Sequence, residues 1–412
     1  MKKLLALCLA LVLCLGACAA LAADVKIGVI LVGDETETYS LAHMEGIKAA
    51  LAANGIPDSS IIWKYKIAEN DDAYTNAVDL VGQGCNLIIS NSYGHQTYMA
   101  LAAEEYPDVT FVAMTGDQAA VSGIANLKNA FTRVFESRYV SGMVAGMKLA
   151  ELLSSGELSA QKQPNSFTAD GNVKIGYVGA FPYAEVVSGY TAFFLGLRSV
   201  VSNVTMEVMY TNSWGDLDKE SAAADALIAN GCVIIGQHAD STGAPAATQK
   251  LQDSGRICYE VGYNIDMLAT APKAALTSAT SDWSVYYSEL FAKALAGEEI
   301  PFDWAKGYAD NAVLITELGP KVAAGTAEKV EETIAAIKDG SLKVFNTSTF
   351  TVGGQAVTTH TFDSTIIDFA TMQPIYEGAK YEAIVDGAFE ESSFRSAPYF
   401  DLRIDGIVED AQ

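Results

Sequence analysis

Aromatic and acidic side chains recur in short polar segments that follow apolar runs of the chain. Aromatic faces stack flat rings, and carboxylates fix the polar atoms of such rings. The segments contain the aromatic residues Tyr39, Tyr93, Phe181, Tyr183, Trp214 and Trp283 and the acidic residues Asp34, Asp117, Asp216, Asp240, Asp266 and Asp282. Loop packing and helix capping are the alternative uses of these residue types. The composition favours binding of a planar, hydrogen-bonding small molecule.

Motifs of phosphate, metal and nucleophile chemistry are absent from the sequence. Gly82-Gln-Gly84 precedes an apolar run instead of following one, so it does not match a dinucleotide-binding turn. No G-x-x-x-x-G-K-[ST], H-E-x-x-H, paired C-x-x-C or G-x-S-x-G pattern occurs. His95 and His238 could meet in one site, where hydrogen bonding to a ligand is favoured over proton transfer. We expect no catalytic residue, no metal and no cofactor.

The apolar runs form a pattern that occurs twice along the chain. Lys26-Ile-Gly-Val-Ile30 recurs as Lys174-Ile-Gly-Tyr-Val178, and Gly84-Cys-Asn-Leu-Ile-Ile89 recurs as Gly231-Cys-Val-Ile-Ile235. The predicted strands are 25–32, 61–67, 86–90 and 109–114, then 172–178, 204–210, 232–236 and 256–261. The predicted helices between them are 40–54, 72–83 and 94–105, then 184–200, 217–230 and 243–254. Apolar strands alternating with helices indicate α/β architecture, with two doubly wound parallel-sheet lobes.

The pattern continues beyond residue 261 and sets the predicted domain boundaries. A short helix near 264–270, a strand at 275–279, a helix at 282–296 and a strand near 304–309 are expected, followed by a tail of extra strands covering one lobe. The predicted lobe 1 is 24–130 plus 262–303, and the predicted lobe 2 is 131–261 plus 304–412. Ligands of open parallel sheets bind beyond the carboxyl ends of the strands, so a cleft between the lobes is the expected site.

The first residues predict export from the cytoplasm. Lys2 and Lys3 precede the apolar run Leu4–Leu15, which is too short to span a bilayer and fits a signal peptide at 1–22. Leu15-Gly16-Ala17-Cys18 resembles a bacterial lipobox, in which Cys18 is acylated and anchors the protein to the membrane. Ala20-Leu21-Ala22 is the alternative cleavage site, which would give a secreted or periplasmic protein.

The charge of the chain disfavours several partners. The formal net charge of −24 repels nucleic acid and anionic membrane surfaces. Outside the signal region only Cys85, Cys232 and Cys258 remain, which makes a disulfide framework unexpected. We expect a monomer that binds no nucleic acid.

Several segments together resemble one family. The most specific are Glu104-Glu-Tyr-Pro-Asp-Val-Thr-Phe111, Phe135-Glu-Ser-Arg-Tyr-Val-Ser-Gly-Met-Val-Ala-Gly-Met147, Thr211-Asn-Ser-Trp-Gly-Asp216 and Val261-Gly-Tyr-Asn-Ile-Asp266. From about Val25 to Asp310 the chain resembles the basic membrane protein (BMP) family of solute-binding lipoproteins, relatives of the purine nucleoside receptor. The resemblance implies two Rossmann-like lobes of the type I periplasmic binding protein kind, joined by a hinge of three crossovers. It also implies capture of a purine base or nucleoside for the permease subunits of an ABC importer.

The resemblance also implies roles for individual residues. Tyr39 and Trp214 match the positions that stack the purine, Asn264 or Asp266 matches the region that holds the ribose, and Asp34 is the first-loop acid. The complete set of expected ligand-binding residues is Asp34, Tyr39, Ser92, Tyr93, Thr115, Gly116, Trp214, His238, Asp240, Asn264, Asp266, Asp282 and Trp283.

The sequence departs from the nucleoside receptors in three places. Thr115-Gly116 replaces an Asp, Ser281-Asp282-Trp283 replaces a Lys, and His238-Ala-Asp240 replaces a glycine-rich loop. Exchange of a charged ribose clamp for a Trp suggests that a free base binds rather than a nucleoside. A free-standing sensor receptor of the same fold is the alternative function, and a nucleoside-processing enzyme is the third.

Overall fold

The structure is a computed structural model that describes residues 25–368 and 373–410; the predicted signal peptide and Cys18 lie outside the described residues. The longer helices are α1 Thr38–Ala53, α2 Asp71–Gly82, α3 Gln96–Glu105, α4 Val134–Ser154, α5 Ala184–Arg198, α6 Leu217–Ala229, α7 Gly243–Asp253, α8 Trp283–Ala296 and α9 Thr326–Lys338. The strands of the two large sheets are β1 Ile27–Ile30, β2 Ile61–Lys64, β3 Leu87–Ser90, β4 Thr110–Met114, β5 Leu127–Thr132, β6 Val173–Gly179, β7 Val204–Tyr210, β8 Ile234–Gln237, β9 Tyr259–Tyr263, β10 Ala275–Ser281, β11 Asp303–Lys306, β12 Val313–Ile315 and, at the C-terminus, Ile407–Asp410.

The first lobe is built on a parallel six-stranded sheet in the order β11-β5-β4-β3-β1-β2. Strands β1 and β3 are buried along their whole length. Such continuous apolar strands need helices on both faces of the sheet, which explains why each strand is followed by an amphipathic helix. Asn70 starts α2 by accepting a hydrogen bond from the backbone of Asp72 at 2.8 Å.

The second lobe repeats this plan with a seven-stranded sheet in the order β12-β10-β9-β8-β6-β7 followed by the C-terminal strand Ile407–Asp410. The C-terminal strand is parallel to β7, and β12 is antiparallel to β10. Helices α4 and α5 cover this sheet and approach each other closely. A Cβ atom built on Gly142 would lie 2.0 Å from the Phe193 carbonyl oxygen. The predicted fold class, with two doubly wound α/β lobes, is confirmed.

The chain crosses between the lobes at positions that differ from the predicted boundaries. Strand β10 pairs with β9 in the second sheet, although 262–303 was assigned to lobe 1. Strand β11 pairs with β5 in the first sheet, although 304–306 was assigned to lobe 2. Helix α8 packs in the core of lobe 1, where Trp283, Tyr287 and Phe291 are buried. The sheet that each strand joins is decided by pairing between residues far apart in the chain, and local sequence patterns do not encode it.

Other local predictions also need correction. The expected short helix near 264–270 consists of turns, in which Asp266 accepts a hydrogen bond from the backbone of Leu268 at 2.8 Å. No regular element was predicted from the sequence for β12, α9 or most of β5 and α4; the hinge strand expected near 131–135 is the end of β5 and the start of α4. Strand β5 carries Lys128 and Asn129 in buried positions, so its polar residues hid the strand pattern.

The residues after α9 extend the core of lobe 2. Phe345 stacks on Phe400 with ring centroids 4.4 Å apart, and Phe362 stacks on Tyr399 at 4.1 Å. Arg198 of α5 donates hydrogen bonds to the carbonyl oxygens of Asp405 and Thr349. The tail is therefore packed into lobe 2 and is not a loose appendage.

Within the residues that the structure describes, no helix combines the length and hydropathy needed to cross a bilayer. The thiols of Cys85, Cys232 and Cys258 are buried and unpaired.

Candidate ligand-binding site

A cavity of about 350 Å³ lies between the two lobes, at the carboxyl ends of both sheets. Both lobes contribute to the wall, which is lined by Val32, Tyr39, Asn91, Ser92, Tyr93, Thr115, Glu185, Trp214, His238, Asp240 and Tyr263.

Tyr39 reaches the cavity from the first turn of α1. The Glu37 carboxylate caps this helix by accepting hydrogen bonds from the backbone of Tyr39 and Ser40, each at 2.8 Å. The Tyr39 ring packs edge-on against His43, with centroids 4.4 Å apart. Its hydroxyl is buried and has no hydrogen-bond partner among the described residues. The ring is therefore held firmly, and its polar end is available to a ligand.

A hydrogen-bond network fixes the two loops beside Tyr39. Asn91 accepts from the backbone of Val32 at 2.9 Å and donates to the Ser40 hydroxyl at 3.0 Å. The Ser92 hydroxyl donates to the Glu69 carboxylate. Because these groups already satisfy one another, the loops keep their shape without a ligand.

Tyr93 joins lobe 1 to lobe 2 at the edge of the cavity. Its hydroxyl donates to the Asp117 carboxylate at 3.3 Å, and its ring lies 6.2 Å from the ring of Tyr183 in lobe 2. Thr115 adopts φ +59°, an uncommon conformation for a β-branched residue. Such backbone strain concentrates at functional loops.

Trp214 forms the aromatic wall contributed by lobe 2. Its ring contacts Phe181 with centroids 5.0 Å apart in an edge-to-face arrangement. The Trp214 carbonyl oxygen accepts a hydrogen bond from the backbone of Asp240 at 2.7 Å. Tyr39 and Trp214 therefore line one cavity from opposite lobes.

Asp240 is the centre of a contact between the lobes. Its carboxyl group accepts from the Asn264 amide at 2.7 Å, and its carbonyl oxygen accepts from the backbone of Thr38 at 3.0 Å. Burial raises the pKa of Asp240 well above its usual value, with the carboxylates of Glu37, Glu220 and Glu185 adding to the effect. A protonated Asp240 can donate a hydrogen bond, which an ordinary carboxylate cannot.

His238 and Glu185 form a second polar pair in the cavity wall. Their Nε2 and Oε1 atoms are 3.4 Å apart. Burial, with a contribution from Arg138, lowers the pKa of His238 well below its usual value. Burial raises the pKa of Glu185 to about 7. At neutral pH His238 is therefore uncharged, and the Glu185 carboxyl group is close to half protonated.

A buried cation lies behind this pair. The Arg138 guanidinium stacks on the Tyr263 ring at 3.6 Å and donates to the Gln237 carbonyl oxygen. Its Nε and Nη2 atoms have no partner among the described residues.

Six of the expected ligand-binding residues do not line the cavity, and one of them, Asn264, donates to the Asp240 carboxyl group instead. Asp34 pairs with Lys66 at 2.5 Å, and this pairing lowers its pKa to about 2. Asp282 caps α8 by accepting from the backbone of Ser284 at 3.1 Å, and Asp266 caps the turn described above. Gly116 packs against Asn129, where a Cβ would lie 2.3 Å from its amide nitrogen.

Trp283 is the sixth, and its position changes the inference about a free base. The ring is 2% exposed and stacks on His43 at 4.2 Å in the core of lobe 1. It was expected to supply a stacking surface for a free base. Packing of α8 onto α1 takes it into the core instead, because α8 belongs to lobe 1.

Four residues of the cavity wall, and the cation behind it, were not among the expected ligand-binding residues. Val32 and Asn91 follow strands β1 and β3, Tyr263 ends β9, and Glu185 lies in the first turn of α5. Their position after a strand was the available signal. Arg138 belongs to α4, and no local pattern distinguishes it from a surface arginine.

The part of the chain that the structure describes contains no cluster of His, Cys, Asp and Glu side chains that could hold a metal ion. His95, the other histidine considered for catalysis, contacts the Ile67 carbonyl oxygen at 3.0 Å and not His238.

Comparison with known proteins identifies the family. The family model described as ABC transporter substrate-binding protein PnrA-like (Bmp) matches residues 25–344. A purine-binding protein of Brucella abortus is 30% identical over 336 residues, which cover 80% of this chain and 86% of that protein. A Haloferax volcanii protein named as a candidate ABC transporter glucose-binding protein is 31% identical over 266 residues, covering 64% of this chain and 60% of that protein.

The solved structures agree in architecture. An ABC transporter solute-binding protein from Aeropyrum pernix superposes with a TM-score of 0.62 at 13% identity, covering 78% of this chain and 93% of that chain. At this identity the likeness shows the fold alone. From the family match and the Brucella relative together, the chain belongs to the Bmp family of PnrA-like ABC transporter substrate-binding proteins.

Proposed function

We propose that this protein captures a purine base or nucleoside outside the cytoplasm and delivers it to an ABC permease. One observation carries the proposal: Tyr39 and Trp214 line a single cavity from opposite lobes. Stacking between two aromatic rings suits a flat heteroaromatic ring. The name of the Brucella relative supports the same ligand class.

The polar groups of the cavity fit an uncharged purine. A protonated Asp240 can donate to a ring nitrogen or carbonyl oxygen, and neutral His238 offers either a donor or an acceptor. Because the pKa values of both groups shift towards the uncharged form, both side chains can form hydrogen bonds with a neutral ligand. We infer that the protein binds its ligand without turnover, as expected of a substrate-binding subunit.

The choice between base and nucleoside stays open. The free-base hypothesis depended on Trp283 as a stacking surface, and Trp283 lies in the core of lobe 1. The affinities of adenine and adenosine, or of hypoxanthine and inosine, are the measurement that decides.

Ligand capture would work by closure of the lobes. The contacts from Thr38 to Asp240 and from Tyr93 to Tyr183 join the two sides of the cleft. A ligand can drive closure only if it makes better contacts in the closed state. Tyr39 in lobe 1 and Trp214 in lobe 2 provide such contacts, because one ring can touch both only when the lobes approach.

We also propose that Cys18 carries a lipid that anchors the protein to the membrane, with cleavage after Ala22 as the alternative. Metabolic labelling with a radioactive fatty acid tests this, and Cys18→Ala removes the label if the anchor is there.

Isothermal titration calorimetry tests the ligand assignment. The protein is unfolded, dialysed and refolded to remove carried-over ligand, then titrated with purine bases, purine nucleosides, glucose and amino acids. We expect saturable binding of at least one purine compound. Binding of glucose alone, as the name of the Haloferax relative suggests for that protein, would contradict the proposal.

Trp214→Ala provides the test of stacking. Loss of one stacking contact costs about 1–3 kcal/mol, which weakens purine binding about 5- to 150-fold. Trp63→Ala is the matched control, because Trp63 lies on β2 and is absent from the cavity wall. Equal affinities of the two variants would refute the stacking role.

A further inference from the structure

The family match ends at residue 344, and the chain continues to residue 412. We call residues 345–410 the C-terminal extension and consider only its described residues. It packs into lobe 2, since Phe345 and Phe400 belong to that core and Ile407–Asp410 pairs with β7. Any contact that it makes with lobe 1 therefore passes from one lobe to the other.

Two such contacts stand out, and they come from neighbouring residues. The Arg395 guanidinium pairs with the Asp117 carboxylate at 2.9 Å, and the backbone N–H of Ser396 donates to the Asp303 carboxylate at 2.6 Å. The side chains of Arg395 and Asp117 are 14% and 5% exposed. Buried charge pairs depend strongly on both partners, unlike exposed ion pairs.

The extension itself fixes the position of Arg395. The Arg395 Nε donates to the Ala397 carbonyl oxygen at 3.2 Å, and the guanidinium lies 5.0 Å from the centroid of the Phe362 ring. Phe362 stacks in turn on Tyr399. A packed aromatic cluster of the extension therefore holds the Arg395 guanidinium against lobe 1.

The pair leads directly to the ligand cavity. The Asp117 oxygen that contacts Arg395, Oδ2, also accepts from the Tyr93 hydroxyl. Tyr93 lines the cavity. The other oxygen of Asp117, Oδ1, is buried and has no hydrogen-bond partner among the described residues. A contiguous route thus runs from the extension through Asp117 to a side chain of the cavity wall.

The extension also lines a second chamber that adjoins the cavity. This chamber has an empty volume of about 900 Å³ and shares Tyr93, Thr115 and Glu185 with the cavity. The extension contributes Thr365, Arg395 and several neighbours to its wall. The extension therefore forms part of the wall of the space next to the ligand cavity.

We propose that the C-terminal extension is a working part of the ligand site, in which Arg395 is a positioning residue that holds Asp117 and, through it, Tyr93 at the cavity wall. The proposal deepens the proposed function, because it assigns ligand affinity partly to a segment outside the matched family region. It rests on that function only for the use of purines as probes.

The first test is a comparison of affinities for adenine and adenosine by calorimetry. Arg395→Gln is expected to weaken binding of whichever probe the wild-type protein binds by about tenfold, and Arg395→Lys to restore part of the loss. Arg403→Gln is the matched control: this arginine belongs to the same extension and pairs with Glu409 at 2.5 Å, away from the cavity. Equal affinity of Arg395→Gln and Arg403→Gln would overturn the proposal.

A double-mutant cycle separates positioning from general stability. If Arg395 acts through the Tyr93 hydroxyl, Arg395→Gln has little further effect in a Tyr93→Phe background. Additive losses in the double variant would contradict the route through Tyr93. Thermal unfolding of each variant without ligand measures any loss of stability separately.

Amide hydrogen exchange without ligand provides a readout that does not depend on the purine assignment. Exchange in the segment around Tyr93 should rise at least fivefold in Arg395→Gln and stay unchanged in Arg403→Gln. If the wild-type protein binds no purine, the proposed function fails, and the exchange result alone decides whether Arg395 positions Tyr93. Unchanged exchange in both variants would overturn the positioning role.

Discussion

Glu260 offers a sharp test of the electrostatics of lobe 2. It lies in the middle of β9 with no exposed surface, and both carboxyl oxygens lack a hydrogen-bond partner among the described residues. Burial raises the pKa of Glu260 well above its ordinary value of 4.5. We therefore expect Glu260→Met, which removes the carboxyl group while keeping a linear side chain, to stabilise the protein at neutral pH.

The magnitude follows from the proton balance. Between the ordinary pKa and the raised pKa, the folded state keeps the Glu260 proton and the unfolded state releases it. The contribution of Glu260 to the free energy of unfolding is therefore smallest at high pH. Stability contributed by the wild-type side chain is fully present below pH 4.5 and is lost as pH rises towards the raised pKa. Each pH unit in that window costs about 1.4 kcal/mol. The advantage of Glu260→Met should therefore grow as pH rises from 5 towards the raised pKa, by at most about 1.4 kcal/mol per pH unit.

Urea unfolding at several pH values measures this difference. The midpoint for loss of lobe 2 can be followed by near-ultraviolet circular dichroism, to which its tyrosines contribute. Glu157→Met is the control, because Glu157 is an exposed glutamate of the same lobe. A stability difference between Glu260→Met and the wild type that stays constant from pH 5 to pH 7 would refute the reasoning.

Two further predictions concern packing and an exposed ion pair. Gly142→Ala should destabilise the protein by roughly the several kcal/mol that overpacking a core can cost, because its Cβ would meet the Phe193 carbonyl oxygen at 2.0 Å. Gly82→Ala has no atom within 4 Å of its Cβ and should stabilise α2 by about 0.5–1 kcal/mol; thermal unfolding distinguishes the two. Asp34→Asn should leave purine affinity within about twofold, because Asp34 pairs with Lys66 on the surface; a tenfold loss in calorimetry would return Asp34 to the ligand site.

The repeated strand–helix pattern was enough to predict two parallel-sheet lobes. Val29 and Ile89 lie in short apolar runs, and such runs separated by amphipathic segments allow few other architectures. The rule that ligands bind beyond the carboxyl ends of strands then selected loops that line the cavity between the lobes. Tyr39, Trp214 and Asp240 are cavity residues for this reason.

Loop membership could not decide which side chains of a loop face the cavity. Asp34 and Asp240 are both acidic residues after a strand, yet one meets Lys66 and the other is buried beside Asn264. Capping is equally hard to separate from binding, because Asp282 satisfies the first turn of α8. These outcomes depend on partners that are distant in sequence.

The sequence by itself determined the α/β class, the two lobes, the location of the cleft and the family, because these follow from local periodicity and matched segments. Tertiary structure alone decided that β10 joins the second sheet, that Trp283 enters the core of lobe 1, and that Arg395 reaches Asp117. Each of these is a contact between residues far apart in the chain, and its free energy arises from burial and pairing that exist only once both lobes have folded.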